Sequence, residues 1–365
     1  MTQILEQDSS VNPYILTNIQ GPFNDRWKIK GWKVFVSDIK WGSSRSSQGK
    51  LSKILDMAKS NYLAFKLLKK YRLPVLYCND IQGYWCAYFG GKMAGRKIIF
   101  NLRDTKSADE LFSLKKWQYI AQHADTIVVL SQEMKDFVVQ KLLTDAKKVI
   151  VSYSIVNHQM FKPVSHDEKL KKRKLYAVAS NDFVISYVAT FNEKKAQLPF
   201  IKNVIAGFKN NEGVKFYFIG DFDTVKNPYA AECLAAVKEL GLESMVTFLG
   251  HINNVDEYYK MSDLVAIAST KEGLARCMIE AISCGTPVIS FDVCSAKEIL
   301  TDGHSGEVVK MGDYAGFTQK IKDLMGNKEL MQQYGANGVK LSAELFDKEQ
   351  VLSRYDAVYP ELQES

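Results

Sequence analysis

No apolar run in this 365-residue chain approaches the ~18 residues that a transmembrane helix requires. The polar stretch Met1–Ser10 lacks the hydrophobic segment of a signal peptide. These absences lead to the expectation of a cytoplasmic protein, free or peripheral at the inner face of the cell membrane. Cysteine is scarce and scattered. Cys78, Cys86, Cys233, Cys277, Cys284 and Cys294 contain no C-x-x-C pair, which argues for reduced thiols and against a disulfide framework. His123, His158, His166, His251 and His304 show no H-x-H or H-x-x-x-H spacing, so a zinc site is not expected. No G-x-G-x-x-G follows a strand of the first half, which disfavours a nicotinamide dehydrogenase. Internal repeats and low-complexity segments are also absent. With 46% hydrophobic and 24% charged residues, wholesale disorder is excluded.

Charge is plentiful and unevenly placed. Residues 1–175 hold 30 Lys and Arg against 15 Asp and Glu, whereas residues 176–365 hold 18 against 26. The halves therefore carry +15 and −8 within a net charge of +7. A basic half beside an acidic one suggests that the first half meets something anionic. Much of the excess lies in Lys50–Arg72, with Lys50, Lys53, Lys59, Lys66, Lys69, Lys70 and Arg72 against Asp56 alone. There Leu51, Ile54, Leu55, Ala58, Tyr62, Phe65 and Leu68 recur at three- and four-residue steps, the pattern of an amphipathic helix. We expect its apolar stripe to pack on the first sheet and its basic face to remain free for anionic lipid headgroups.

Short β-branched runs alternate with longer helical ones. Six strand candidates, from Tyr14–Ile19 to Val149–Val151, precede a basic run at Lys169–Lys174 that reads as a linker. Six more follow, from Val184–Val188 to Gly306–Val309. This alternation predicts an α/β protein with parallel sheets covered on both faces, built as two Rossmann-like domains facing a central cleft. The expected divisions are an N-terminal domain at 1–170, a second domain at 176–345, and a C-terminal helix at 346–365 crossing back to the first.

The densest chemical signal is Thr270-Lys-Glu-Gly-Leu-Ala-Arg-Cys-Met-Ile-Glu280, continued by Ala281 and by Cys284-Gly-Thr-Pro-Val-Ile289. An apolar strand enters a loop containing Gly273, and a helix begins near Ala275. The amides at such a helix start suit a phosphate or diphosphate. Glu272 and Glu280 can face one cleft and accept hydrogen bonds from sugar hydroxyls. Taken alone, such a pair is also what a capping acid and a solvated helix residue would look like.

The segment Glu272-x7-Glu280 with its Gly285-Thr-Pro-Val-Ile continuation resembles the signature of retaining GT-B glycosyltransferases of family 4. Other pieces follow in that family's order: Lys30-Gly-Trp-Lys-Val34, Ala124-Asp-Thr-Ile-Val-Val-Leu-Ser131, Val156-Asn-His-Gln-Met-Phe-Lys-Pro163 and Val246-Thr-Phe-Leu-Gly250. The resemblance implies the GT-B fold and transfer of a sugar from a nucleoside diphosphate to a glycan, cell-wall polymer or lipid-linked acceptor. It implies no cofactor beyond that co-substrate and no metal. An anionic membrane surface is a further candidate partner; nucleic acid is not expected.

By the same resemblance Glu280 would hold the ribose hydroxyls and Glu272 the transferred sugar. Gly273, Leu274 and Ala275 would offer backbone N–H groups to the diphosphate, and Ile252 would lie at the nucleobase. Lys195 would neutralise the leaving diphosphate, with Lys194 as substitute. The family's arginine position is occupied by Thr190, a departure for which Arg276 could compensate. On the acceptor side the resemblance points to Gly21, in a first loop followed by a short or absent helix, and to Asp80, Arg103 and Asp104 at strand ends. For the last three, a turn role is an equal alternative.

Asp221-Phe222-Asp223 is formally a D-x-D, but it follows a strand where this family has a glycine-rich turn, so a metal role is not expected. Two other functions stay open at this point. One is a nucleotide-sugar epimerase or hydrolase of the same fold. The other is a catalytically silent subunit, which intact Glu272 and Glu280 argue against.

Overall fold

The computed structural model describes residues 11–39, 50–103, 111–211 and 213–356. They form two compact units. Described residues up to Tyr153 and from Val351 onward make the first, and Ser154–Gln350 makes the second. The division falls at Tyr153/Ser154 rather than near residue 170. The last helix, Lys348–Asp356, runs across the second division, and its Val351 and Tyr355 are buried.

In the first unit β1 (Tyr14–Thr17) and β2 (Lys33–Val36) form a parallel pair, joined by the short helix Pro22–Ile29. A four-stranded parallel sheet follows in sequential order: β3 (Val75–Cys78), β4 (Lys97–Leu102), β5 (Thr126–Val129) and β6 (Val149–Val151). β5 is buried along its whole length, as a parallel strand covered on both faces is, and this is why Thr126 leads into the apolar run Ile127–Val129.

The helix Lys50–Lys70 forms as its period predicts, but of its expected stripe only Leu68 is buried and Phe65 partly so, while the earlier part faces outward. Leu51, Ile54, Leu55 and Tyr62 are 73%, 57%, 53% and 67% exposed, while Ser60, Asn61, Ala64 and Leu68 are buried. The reason is a close crossing with the helix Ile81–Met93. A Cβ on Gly90 would lie 2.2 Å from the Asn61 carbonyl oxygen, so only glycine allows this approach. Asn61 completes the crossing by accepting from the Gly90 amide (3.0 Å) and donating to the Trp85 carbonyl (2.8 Å). Small and polar groups therefore make the seam at Ser60, Asn61 and Ala64, and Leu51, Ile54, Leu55 and Tyr62 are left outside.

The second unit is a six-stranded parallel sheet of β7 (Phe183–Val188), β8 (Val214–Ile219), β9 (Val246–Gly250), β10 (Leu264–Ile267), β11 (Val288–Phe291) and β12 (Gly306–Val309). Their spatial order is β12-β11-β10-β7-β8-β9. This is the doubly wound order, in which the chain leaves β7 to one side and β10 to the other, so the switch point lies between these two strands. Phe200, Phe216, Phe218, Phe291 and Phe317 fill the core on one face.

The run Lys169–Lys174, expected as a linker, is the body of the helix His166–Leu175. A reciprocal Ser165–Glu168 capping box starts that helix. Arg173 is buried. It donates to the carbonyls of Met261 (3.0 Å), Ser180 (3.1 Å) and Asp182 (2.9 Å) and to the Asp263 carboxylate (2.5 Å). Lys169 meets the other Asp263 oxygen at 2.8 Å, and Lys172 meets Glu257 at 2.5 Å. Arg173→Met should therefore cost about 1–3 kcal/mol, because one buried and two part-buried carbonyls lose this donor, while Asp263 keeps Lys169 and the Val184 amide. A urea midpoint unchanged from wild type would refute this.

Candidate active site

The loops leaving β7 and β10 at the switch point are joined by hydrogen bonds. After β7 the chain makes a 3₁₀ turn, Glu193–Lys195, capped by Asn192, whose side-chain oxygen accepts from the amides of Lys194 (3.1 Å) and Lys195 (3.3 Å). The Thr270 amide, beyond β10, donates to the Lys194 carbonyl at 2.8 Å. The Tyr187 hydroxyl donates to the Lys195 carbonyl and accepts from the Ala268 amide at 3.2 Å, linking both loops from below. Gly220, at the end of β8, permits the close packing beside them. A Cβ there would lie 1.9 Å from the Ala189 carbonyl oxygen.

This framework brings Lys195 Nζ to 2.5 Å from Glu272 Oε1. Their side chains are 26% and 11% exposed, so the pair is largely withdrawn from water. Lys194 is exposed, and it is its carbonyl that accepts from the Thr270 amide. Thr190 carries no charge into the site. Its hydroxyl accepts from Asn192 (3.1 Å) and its carbonyl from Gln197 (2.9 Å).

The helix Arg276–Ser283 begins after Ala275, which supplies no side-chain cap to its first amides. Leu274 and Ala275 are buried, so what they can offer a ligand is backbone. The Gly273 carbonyl is held by Ser295 Oγ at 2.9 Å. One turn into the helix, Glu280 Oε1 accepts from Arg276 Nε (3.2 Å) and Nη2 (3.0 Å), and Oε2 accepts from the Tyr259 hydroxyl (3.3 Å). Burial raises the Glu280 carboxyl above the ordinary glutamate range, with Arg276 and Tyr259 opposing the shift. Burial also pushes the Cys277 thiol up to about 12, so it offers no thiolate here.

Glu272, Lys195, Glu280, Gly273, Leu274, Ala275 and Arg276 thus lie on loops and a helix start at the switch point. Tyr187, Tyr259, Asn192 and Ser295 complete the arrangement and were not anticipated, and Thr270, at the head of the motif segment, joins it through its amide. A signal existed for Tyr187, since a tyrosine inside an apolar strand needs a partner for its hydroxyl. Ile252 follows β9 and packs partly buried with Tyr258 and Val255. Asp223 accepts from the amides of Val225 and Lys226 at 3.0 Å each, and Phe222 stacks on Phe248 with ring centres 4.3 Å apart. Among the described residues no cluster of three or more His, Cys, Asp or Glu is placed to hold a metal ion.

The acceptor-side candidates belong to the first unit. Gly21 is the extended N-cap of the helix Pro22–Ile29, with open space where a Cβ would stand. Asp80 caps the helix Ile81–Met93 by accepting from the Gly83 amide at 2.6 Å, which is the turn role. Arg103 is exposed just after β4. Asp104 lies outside the described residues.

Residues 168–341 match the family model described as glycosyl transferases group 1. The second unit is a glycosyl transferases group 1 domain. The chain is similar to the N-acetyl-alpha-D-glucosaminyl L-malate synthase of Bacillus anthracis, with 24% identity over 284 residues, 75% of this chain and 71% of that protein. It is also similar to the UDP-Gal:alpha-D-GlcNAc-diphosphoundecaprenol alpha-1,3-galactosyltransferase of Escherichia coli, with 23% identity over 292 residues, 77% and 73% of the two chains. Among solved structures, HepE of Anabaena, crystallised with UDP, superposes with a TM-score of 0.80 at 20% identity and covers 100% of this chain and 96% of its own. The fold of the chain is GT-B.

Proposed function

We propose that this glycosyltransferase moves a sugar, with retention, from a nucleoside-diphosphate sugar to a glycan, cell-wall polymer or lipid-linked acceptor at the inner face of a membrane. The observation that carries the reading is the Lys195–Glu272 pair at the switch point, on the loop that leads into the helix bearing Arg276 and Glu280. A sugar leaving a nucleoside diphosphate builds negative charge on the β-phosphate and positive charge on the anomeric carbon. In this reading Lys195 and the amides at the start of the helix Arg276–Ser283 receive the first charge. Glu272 exchanges part of its contact with Lys195 for sugar hydroxyls. Glu280 accepts from the ribose hydroxyls while Arg276 and Tyr259 hold its orientation. UDP in HepE and a UDP-galactose donor for the Escherichia coli relative support a UDP-sugar, and the latter's diphosphoundecaprenol acceptor supports a lipid-linked one.

The test is release of nucleotide from a panel of UDP-, GDP- and ADP-sugars, with and without a polyprenyl-diphosphate glycan. Acceptor-dependent release from one donor is expected. Acceptor-independent turnover would favour an epimerase or hydrolase, and no turnover with any donor would favour a silent subunit.

The same reading needs no metal, because in it Lys195 and the helix-start amides neutralise the departing diphosphate. Activity is expected to survive excess EDTA. Asp221→Ala with Asp223→Ala should keep most of it, since Asp223 serves a turn whose loss costs only ~1 kcal/mol of stability. Loss of activity restored only by manganese would overturn this part of the reading.

A further inference from the structure

We propose that the outer face of the helix Lys50–Lys70 docks into the surface of an anionic lipid bilayer, its apolar residues entering the headgroup boundary. Among the described residues, large exposed apolar side chains are concentrated in the first unit. Leu51, Ile54, Leu55 and Tyr62 line one helix, and Phe89 and Met93 stand exposed on the helix packed against it.

At about 100° per residue, Leu51, Leu55 and Tyr62 fall within roughly 40° of one another, with Ile54 beside them. Lys59, Lys66 and Lys70 follow within about 100° on one flank, and Lys69 continues the stripe toward the helix end. All four lysines are exposed. The inward face is already used by Ser60, Asn61, Ala64 and Leu68, and the Asn61–Gly90 hydrogen bond holds the helix to its neighbour, so it cannot turn its apolar stripe inward without breaking that seam.

A basic flank beside an apolar stripe matches the chemistry of an anionic interface: lysines for the headgroups, aliphatic side chains and a tyrosine for the acyl boundary. The residues of the first unit, 1–153 and 351–365, hold 25 Lys and Arg against 16 Asp and Glu, and this +9 adds a long-range attraction to an anionic surface. For its purpose this inference rests on the proposed membrane-side acceptor. Its physics uses no residue of the donor site, so the two can fail separately.

The test is co-sedimentation of the full-length protein with phosphatidylcholine vesicles with and without phosphatidylglycerol, in low and high salt. Preferential binding to anionic vesicles is expected, with a fraction resisting high salt because the apolar contact is not screened. Leu51→Ser with Ile54→Ser and Leu55→Ser should weaken binding about tenfold or more and abolish the salt-resistant fraction. Lys59, Lys66, Lys69 and Lys70 changed to Glu should abolish the anionic preference. Nucleotide-sugar affinity and the thermal unfolding midpoint report whether each variant is folded, and the milder Tyr62→Ala is a second probe if the triple variant is not.

Equal binding to both vesicle types, no binding to either, or wild-type binding by the folded serine variant would each overturn the proposal. So would self-association in the ultracentrifuge that the serine variant removes, since the face would then be an interface between copies of this chain.

Discussion

Lys195→Ala is expected to lower turnover by ~10²-fold or more while changing donor affinity far less, as for removal of a group whose charge matters most in the transition state. The geometry adds a second consequence. Glu272 is 11% exposed, and without its 2.5 Å partner it would be a largely buried, uncompensated carboxylate. The lysine variant should therefore also lose stability, and Glu272→Gln in the same chain should restore part of that stability without restoring turnover. Alone, Glu272→Gln should reduce turnover more than nucleotide affinity, because its proposed partners belong to the sugar. The two substitutions touch one contact, so their effects on stability should not add. Single-turnover rates with calorimetric Kd values separate these effects. Near wild-type turnover for Lys195→Ala, with an inactive Lys194→Ala, would transfer the role to the neighbouring lysine.

The second large effect is at Glu280. Its replacement by Ala should weaken donor binding by about 1–3 kcal/mol, roughly 5- to 150-fold in Kd, by removing charge-assisted hydrogen bonds to the ribose. The pH dependence has a definite sign. Burial raises this carboxyl, so on acidification it takes up its proton before an ordinary glutamate does. Donor affinity should then fall as pH drops, beginning above the usual carboxylate range. Protonation in the folded state precedes protonation in the unfolded chain, so across that same window this group's contribution to stability rises as pH falls. Arg276→Met should move the loss of affinity to higher pH, because Arg276 is the first of the groups opposing the shift, and Arg276→Lys should recover part of it. Tyr259, Arg276, Cys277 and Cys284 are the titratable neighbours of this carboxylate, and burial keeps the phenol and both thiols neutral near pH 7. A profile unchanged in Arg276→Met would remove the guanidinium from this role.

Much of this was legible before any coordinates. Parallel strands buried on both faces are predominantly apolar, so β5, β10 and β11 read from their Val, Ile and Leu content despite the buried Thr126 and Ser290. The donor-side residues were readable because strand, glycine-containing loop and helix start are adjacent in the chain, and their spacing carries the chemistry. Two positive runs misled for the same reason. Lys169–Lys174 looked like a solvated linker because its acidic partners, Asp263 and Glu257, stand 85 to 94 residues later. The helix Lys50–Lys70 looked ready to bury its aliphatic stripe, because a helical period reveals that two faces exist without saying which faces the neighbour.

The sequence by itself determined the α/β alternation and the position of the glutamate-bearing loop and helix, since both depend on local periodicity and short spacing. Tertiary structure decided the remainder. The doubly wound strand order places the loop after β7 beside the loop after β10, and only that placement pairs Lys195 with Glu272 and turns Lys194 outward. Likewise, the close approach at Gly90 decides that Ser60, Asn61 and Ala64 face inward and leaves Leu51, Ile54, Leu55 and Tyr62 on the outside. Contacts between residues far apart in the chain are selected by packing and hydrogen-bond satisfaction across the whole unit, and no local pattern encodes them.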